Sequence, residues 1–431
     1  MIVVLLSVIL FSIIDLKKGI LFTAGTLMFM NNLSSGIPEV KLFYAVVLIQ
    51  IVLFFFLGEY DKMKYPKLIL IPTLFASFCY IASSYFGAIH DYAKNIVNIS
   101  TWFVFPYLVW HCICTKEDVL YFSRVLLTFF FVVAGYALIE LLLGFNIYSE
   151  IANDTGMIAG ELGGLESSER FGLLRCNSIL PYSSALGMNS SLVFVTTIIL
   201  IAYHVKIHPY YFCLVFLLPF CVLLSGTRSQ FVVFATCFLA FLMDRKYRNS
   251  SHIKVLVLLG FVSVLLLSPV LLEIIDSIIH SDSSSTQGSN LTMRLNQFAI
   301  TESYWQQSPW FGWGRNYTWN VAIPDNPALL GAESIIFTQL IDHGAFGLFC
   351  FYFIGICLAV YCYSFSMPLA ILPIAFMLGK TMSTVVGVEY NIPIVLCVLA
   401  VKTILIYKKR KRFQYLQLML KIYEIKNKLS F

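Results

Sequence analysis

The chain has 431 residues, of which 59% are hydrophobic and only 12% are charged. This composition excludes a soluble globular protein, in which about 25% of the residues are charged. It predicts an all-α polytopic membrane protein, because a backbone inside the hydrocarbon must satisfy its own hydrogen bonds. The formal net charge of +6 does not indicate nucleic acid, since most lysines and arginines fall in short loops on one predicted side of the membrane.

Apolar runs predict about 12 or 13 membrane spans, since each span needs roughly 20 mostly apolar residues. The first run lacks a basic region and a small-residue cleavage site, so we interpret it as a retained span and not as a secretory signal. The positive-inside rule places the basic short loops in the cytoplasm and two longer loops, 144–182 and 274–333, outside. The predicted spans are 1–14, 19–31, 40–58, 68–86, 95–114, 119–143, 183–204, 209–225, 229–243, 255–273, 334–362, 367–384 and 391–407.

Residues 1–412 are therefore treated as one transmembrane domain, and the tail 413–431 carries apolar residues at helical spacing with lysines between them. That pattern is typical of an amphipathic helix on the inner leaflet, although a frayed basic tail explains it equally well. The 11 cysteines show no CxxC or Cys/His ligand spacing, so we expect no disulfide framework and no metal site. We expect Glu140 and Lys380, inside spans but near their outer ends, to extend to the surface.

Two arginines, Arg170 and Arg175, lie in the first outward loop, before a span that begins with small residues. An outward loop with charges of both signs is often only a solvated surface, and that interpretation stays open. A planar guanidinium also suits phosphate oxygens, and both residues lie near the height of lipid phosphates. They are candidate phosphate ligands.

A tight break of sequence Ser-Gly-Thr-Arg, residues 225–228, separates two predicted spans and places Arg228 at the outer surface. The positive-inside rule disfavours an arginine there, so its presence needs a reason. Anion binding is one reason, and extension of the side chain to lipid headgroups is the other.

The second outward loop carries Arg294 and most of the chain's tryptophans. Gly312 and Gly314 allow an irregular loop that presents aromatic faces, and such faces can stack on sugar rings. Anchoring in the headgroup region is the alternative for the tryptophans, but it explains neither Arg294 nor the glycines. The candidate sugar-binding residues are Trp305, Trp310, Trp313 and Trp319.

Glu333 stands where this loop re-enters the membrane. A carboxylate at such a boundary is a candidate general base, although a helix N-terminus also favours an acid, so a simple capping role is the alternative. Asp342 and His343 lie deeper on the same predicted helix, where polar groups are costly unless they face the interior of the bundle. We predict a structural role for both.

These four signals resemble, in their order, the bacterial O-antigen and capsular polysaccharide polymerases and the O-antigen ligases. The resemblance covers about residues 165–347, and its most specific part is the phrase Pro-Trp-Phe-Gly-Trp-Gly at 309–314. In the ligase branch a histidine followed by asparagine is typical at the position of Glu333, and the acid nine positions later is matched here by Asp342. The Glu-Ser pair at 333–334 favours the polymerase branch.

The resemblance implies a multi-span, lipid-donor glycosyltransferase of the bacterial inner membrane with its active site on the outer face. It would transfer a growing glycan from undecaprenyl diphosphate to a lipid-linked repeat unit, with Arg228 and Arg294 holding the diphosphate and Glu333 as base. No cofactor is expected, and the absence of an Asp-x-Asp motif fits a donor that is not a nucleotide sugar. The implied partners are the lipid-linked oligosaccharides, membrane lipids, and a chain-length regulator and flippase of the same pathway.

Two other functions stay open at this point. An O-antigen ligase would transfer the finished polymer to the lipid A core. A flippase of lipid-linked sugars belongs to a different class, the transporters, which usually have repeated halves and a site at the bilayer midplane. The chain shows no obvious internal repeat.

Overall fold

The computed structural model is an all-α membrane protein, as the composition predicts. At 2, 152–154, 169–170, 173–174 and 291 the structure describes the backbone and not the side chains. The residues that the structure describes are 2–30, 33, 41–57, 64–154, 169–170, 173–244, 247, 254–255, 291–329, 332–383 and 388–408.

Seventeen helices can be followed through these residues, with two short π-helical segments, Ser100–Val104 and Thr318–Ala322, and two 3₁₀ turns, Pro209–Cys213 and Pro327–Leu329. A two-stranded hairpin pairs β1 (Glu169–Arg170) with β2 (Leu173–Leu174). The helices are α1 Ile2–Ile14, α2 Leu16–Gly25, α3 Leu27–Met30, α4 Leu42–Leu57, α5 Lys67–Phe86, α6 Tyr92–Ile99, α7 Phe105–Cys112, α8 Lys116–Leu143, α9 Ile147–Asp154, α10 Ser183–Ala202, α11 Leu214–Leu224, α12 Arg228–Met243, α13 Leu291–Gln307, α14 Ile323–Asp325, α15 Ile335–Tyr363, α16 Met367–Met382 and α17 Asn391–Lys408.

Five of these helices, α5, α8, α10, α15 and α17, are long and apolar enough to cross a membrane, and the described residues include five shorter apolar helices. They coincide with predicted spans, so the multi-pass architecture is confirmed. The predicted span 95–114 is α6, a π-helical segment and α7 in succession. The predicted span 255–273 lies almost entirely outside the described residues and the tail 413–431 wholly so, and the total number of spans stays a prediction.

Helix α10 occupies the centre of the bundle and is almost entirely buried. Its sequence explains this position, because serine, threonine and glycine let neighbouring helices approach closely in a membrane protein. A Cβ added to Gly187 would lie 2.7 Å from Gln230 Cβ of α12. Helices α11, α12 and α16 pack around α10.

Helix α15 packs against α5 and α16 and bends at Gly344, whose φ of 65° and ψ of −162° are not helical. The C-termini of α5 and α16 and the N-termini of α10, α12 and α15 meet at one end of the bundle. We call it the loop end, because the segment between α13 and α15 folds over it. Most of the predicted site residues lie at this end of the bundle.

Glu140 and Lys380 are buried, contrary to the expectation that they extend to the surface. Glu140 is 3% exposed, and its carboxylate accepts from the backbone N–H groups of Asn177 (3.1 Å) and Ser178 (2.6 Å). Lys380 is 6% exposed, and its Nζ lies 3.2 Å from Glu389 Oε2. Each charge is compensated inside the protein, which removes the reason to reach water.

Candidate functional site

Arg294 and Glu333 form an ion pair at the loop end. Arg294 Nε and Nη2 donate to Glu333 Oε2 at 3.3 and 3.2 Å, and Nη2 also donates to the carbonyl of Met382 at 3.2 Å. The Glu333 side chain is 17% exposed and that of Arg294 is 38% exposed. The pair is therefore screened from solvent on one side and accessible on the other.

Ser334 is the N-cap of α15, since its hydroxyl accepts from Ile336 N at 3.2 Å. The capping role that was an alternative for Glu333 is thus filled by its neighbour. The backbone N–H of Glu333 donates to Gln297 Oε1 at 3.4 Å, one turn after Arg294 on α13. Helix α13 therefore contacts both the side chain and the backbone of this acid.

Arg175 reaches the same region from the loop before α10. Its Nη2 donates to Ser183 Oγ at 2.8 Å. The next residue, Cys176, fixes this loop, because its backbone N–H donates to Leu224 O at 2.9 Å. Gly226 has a φ of 55°, and a Cβ there would lie 2.8 Å from Arg175 Cγ. A side chain at position 226 would therefore collide with Arg175, which explains the glycine in the Ser-Gly-Thr-Arg break.

Arg175 and Arg228 both interact electrostatically with Glu333, and Arg228 also with Arg294. Burial lowers the pKa of Arg175, and the negative charge of Glu333 opposes that effect. The structure thus brings together three of the four predicted phosphate ligands and the predicted base. We call Arg175, Arg228, Arg294 and Glu333 the arginine cluster.

Arg170, the fourth predicted phosphate ligand, pairs through its backbone with Leu173 in the hairpin. Its side chain lies outside the described residues. Its role stays a prediction.

The four predicted sugar-binding tryptophans divide into two pairs. The indole N–H of Trp305 donates to Pro309 O at 2.8 Å, and that of Trp313 donates to Tyr304 O at 2.9 Å. Trp310 and Trp319 are 62% and 36% exposed. Trp310 and Trp319 therefore have surface free for a ligand, whereas Trp305 and Trp313 use their polar atoms to hold the loop.

Asp342 holds the loop 312–318, which we call the tryptophan loop, against α15. Its Oδ1 accepts from the N–H and the hydroxyl of Thr318, both at 2.7 Å, and its Oδ2 accepts from Asn316 N at 3.0 Å. The neighbouring His343 Nδ1 lies 2.9 Å from Ser83 Oγ of α5. Both side chains are buried inside the bundle, as predicted, and their structural role stays a prediction.

The glycines of this region permit backbone contacts that a side chain would block. Gly312 and Gly344 have φ values of 68° and 65°, and a Cβ on Gly344 would lie 2.5 Å from Trp310 C. Beyond the bend, Ala345 N donates to Pro309 O at 2.8 Å. At the bend, the backbone N–H of Ala345 thus bonds to the loop instead of to a carbonyl of its own helix.

Sequence reasoning did not name Glu389 or Arg315 and gave Lys380 no place in the site at the loop end. The Lys380–Glu389 pair adjoins Met382, whose carbonyl binds Arg294. Arg315 follows Gly314 in the tryptophan loop. A lysine inside a span and an arginine beside the Gly-Trp-Gly phrase were the available signals.

Among the residues that the structure describes, no group of three or more His, Cys, Asp or Glu could hold a metal ion.

Comparison with known families gives one match. A family model described as O-Antigen ligase matches residues 213–352. The matched segment includes Arg228, Arg294, Glu333 and the tryptophan loop, and it ends inside α15. A search of curated proteins gives no match.

Proposed function

The chain belongs to the O-antigen polymerase/ligase superfamily, in which residues 213–352 place it, and on that premise we propose that it is a polysaccharide polymerase. It transfers a growing glycan from undecaprenyl diphosphate to a lipid-linked oligosaccharide repeat unit. The observation that carries this proposal is the convergence of Arg175, Arg228 and Arg294 on Glu333.

The arginines suit the leaving group. A lipid diphosphate departs with added negative charge, and preorganised cations stabilise that charge most where water is partly excluded. Guanidinium groups can also bind phosphate oxygens through two parallel hydrogen bonds. Arg294 is held by two acceptors, the Glu333 carboxylate and the Met382 carbonyl, so little reorganisation is needed when the diphosphate arrives.

Glu333 suits the proton transfer. In the reaction, a hydroxyl oxygen of the acceptor sugar forms a bond to the anomeric carbon of the donor glycan, and the bond from that carbon to the diphosphate oxygen breaks. The diphosphate takes the electron pair, and Glu333 takes the hydroxyl proton. The carboxylate and the cations lie in one region of the loop end, so one protein site can hold both reacting groups in position.

Trp310 and Trp319, the exposed members of the tryptophan set, are the candidates for stacking on the sugars. Arg170 is proposed as a further phosphate ligand from the hairpin before α10. The active site faces the periplasmic side of the inner membrane, because the positive-inside rule places the basic short loops on the cytoplasmic side. A chain-length regulator and a flippase of the same pathway are the proposed protein partners.

The ligase is the second candidate function, and the observation that favours it is the description of the matching family model. A ligase uses the same donor, so the arginine cluster would serve it equally well. The two functions differ in the acceptor, a lipid-linked repeat unit for the polymerase and the lipid A core for the ligase. Glu333 in place of the histidine typical of ligases supports the polymerase.

The deciding experiment offers both acceptors to the purified full-length chain in lipid nanodiscs. With lipid-linked repeat units alone, we expect products longer by whole repeats, formed without ATP or added divalent metal and resolved by mass spectrometry. Transfer to lipid A core without elongation would replace the polymerase by the ligase. A requirement for ATP would contradict both.

A deletion strain gives an independent reading. If the chain is the polymerase, the surface glycan of the strain should carry a single attached repeat unit. Complete loss of attached glycan would instead identify a ligase or a flippase.

A further inference from the structure

Arg315 also lies at the loop end, but it does not belong to the arginine cluster. It stands between Gly314, whose φ is 101°, and Asn316, whose φ is 60°. Asn316 N donates to Asp342 Oδ2 at 3.0 Å, and Gly314 N donates to Asp342 O at 2.9 Å. Both neighbours are therefore fixed to α15, which fixes the direction in which the Arg315 side chain leaves the loop.

The guanidinium of Arg315 lies against α6. With the amide of Asn98 oriented as hydrogen bonding requires, its oxygen accepts from Arg315 Nε at 3.2 Å and from Nη2 at 3.3 Å. Asn98 is 2% exposed, so this acceptor is rigidly placed. A guanidinium has further N–H donors, including both on Nη1, and Asn98 is the acceptor that Arg315 reaches among the described residues.

The nearest acids are already occupied. Asp91 and Asp342 attract Arg315 electrostatically, but within the described part of the chain neither forms an ion pair with it at 4 Å or less. Asp342 receives its bonds from Thr318 and Asn316. Asp91 caps α6 through Lys94 N (3.1 Å) and pairs with Lys94 Nζ (3.4 Å). Arg315 is thus a partly buried cation whose partner inside the protein is a neutral amide.

Burial lowers the pKa of Arg315, which reflects the cost of removing a cation from water without an ion-pair partner. An oxyanion that accepts from the remaining N–H donors of the guanidinium would offset that cost. Tyr44 of α4 is close enough to interact electrostatically with Arg315. The position therefore lies where α4, α6 and the tryptophan loop meet, at the loop end of the bundle.

We propose that Arg315 and Asn98 form a second phosphate-binding subsite, which holds the phosphate group of the acceptor lipid while the arginine cluster holds that of the donor. The inference rests on the proposed function, because transfer between two lipid-linked glycans brings two phosphate-bearing lipids to one protein. Asn98 orients the guanidinium, and the open N–H groups bind the phosphate oxygens. A bulk anionic phospholipid offers the same chemistry, so the test must separate the two sources.

The test counts bound lipid diphosphates by native mass spectrometry of the full-length chain in phosphatidylcholine nanodiscs, with undecaprenyl diphosphate as the probe. We expect two per wild-type protein, one for Arg315→Gln and one for Arg294→Gln. Arg124 is an exposed arginine on α8, and the control variant Arg124→Gln should still bind two. Asn98→Asp should also bind one, because the new carboxylate would close the guanidinium with an ion pair that stabilises the fold.

Kinetics with a lipid-linked glycan blocked at its non-reducing end as donor and a lipid-linked repeat unit as acceptor give the second readout. Arg315→Gln should raise the KM for the acceptor about tenfold, the effect of losing a charged hydrogen bond, and leave the KM for the donor unchanged. Binding of two probes by Arg315→Gln would overturn the subsite, as would binding of only one by the wild type. Displacement of the second probe by equimolar phosphatidylglycerol would also overturn it, in favour of a bulk-lipid contact. Two bound probes without any sugar transfer would refute the proposed function and leave the subsite standing.

Discussion

Glu333 of the arginine cluster and Asp342, which holds the tryptophan loop, are two acids on one short stretch of the chain, yet they are bonded differently. Asp342 accepts three hydrogen bonds at 2.7 to 3.0 Å from residues within 26 positions of it, and it is buried. Glu333 is bound through one oxygen, Oε2, at 3.2 to 3.3 Å by an arginine 39 positions away and is partly exposed. Both oxygens of Asp342 are therefore occupied by bonds within the protein, whereas Glu333 is bound through one oxygen and is partly accessible to solvent.

This difference separates structure from chemistry. A carboxylate whose two oxygens both accept bonds from backbone and hydroxyl donors fixes a loop and leaves little room for a ligand. A carboxylate in a loose contact with arginines can exchange that partner for a substrate. Changes at four residues, the two acids, Arg294 and Gly344, test whether the comparison holds.

The largest effect is expected for Glu333→Gln. The amide keeps the size of the side chain but cannot take a proton, so elongation should fall by about 10³-fold, within the range of general base catalysis. Initial rates with lipid-linked repeat units measure it, and native mass spectrometry should show that lipid diphosphate still binds. Glu302→Gln, at an exposed acid on α13, is the matched control and should retain full activity. Full activity in Glu333→Gln would remove this residue as the base.

Arg294 should come next. Arg294→Ala should lower kcat/KM by about 10 to 100-fold, the cost of losing hydrogen bonds to a charged group. Arg294→Lys should lower it nearly as much, because an ammonium group cannot make two parallel bonds to phosphate. Arg124→Lys provides the control. Wild-type rates in Arg294→Lys would mean that the cluster supplies only charge.

Gly344→Ala tests the bend that the tryptophan loop requires. A Cβ would lie 2.5 Å from Trp310 C at a φ of 65°, so we expect a loss of about 2 to 3 kcal/mol through strain and steric conflict. Thermal unfolding in detergent measures it. Gly135→Ala is the matched control, since a Cβ at that helical position meets no atom within 4 Å, and its stability should be unchanged or higher. Equal stability of the two variants would show that the bend is dispensable.

Asp342→Asn should have the smallest effect, a loss of about 1 to 3 kcal/mol, because the amide nitrogen would face the donors of Thr318 or Asn316. Hydrogen exchange should be faster at 312–318, and activity should fall only in step with the folded fraction. A large loss of kcat in a fully folded variant would instead give Asp342 a chemical role and end the distinction between the two acids.

Composition and local patterning determined the class, since apolar runs long enough to cross the hydrocarbon and short basic loops fix a multi-pass membrane protein whatever its tertiary contacts. They also indicated Arg175, Arg228, Arg294 and Glu333, because charges near hydrocarbon need a reason. Only the tertiary structure decided that these four meet, since they come from four separate segments and no local signal records contacts across such separations. It also decided that Asp342 anchors the loop, that Trp305 and Trp313 hold it, and that Lys380 finds Glu389. For Arg315, the sequence supplied an arginine beside two glycines, and the packing of α6 against the tryptophan loop gave it Asn98 as a partner.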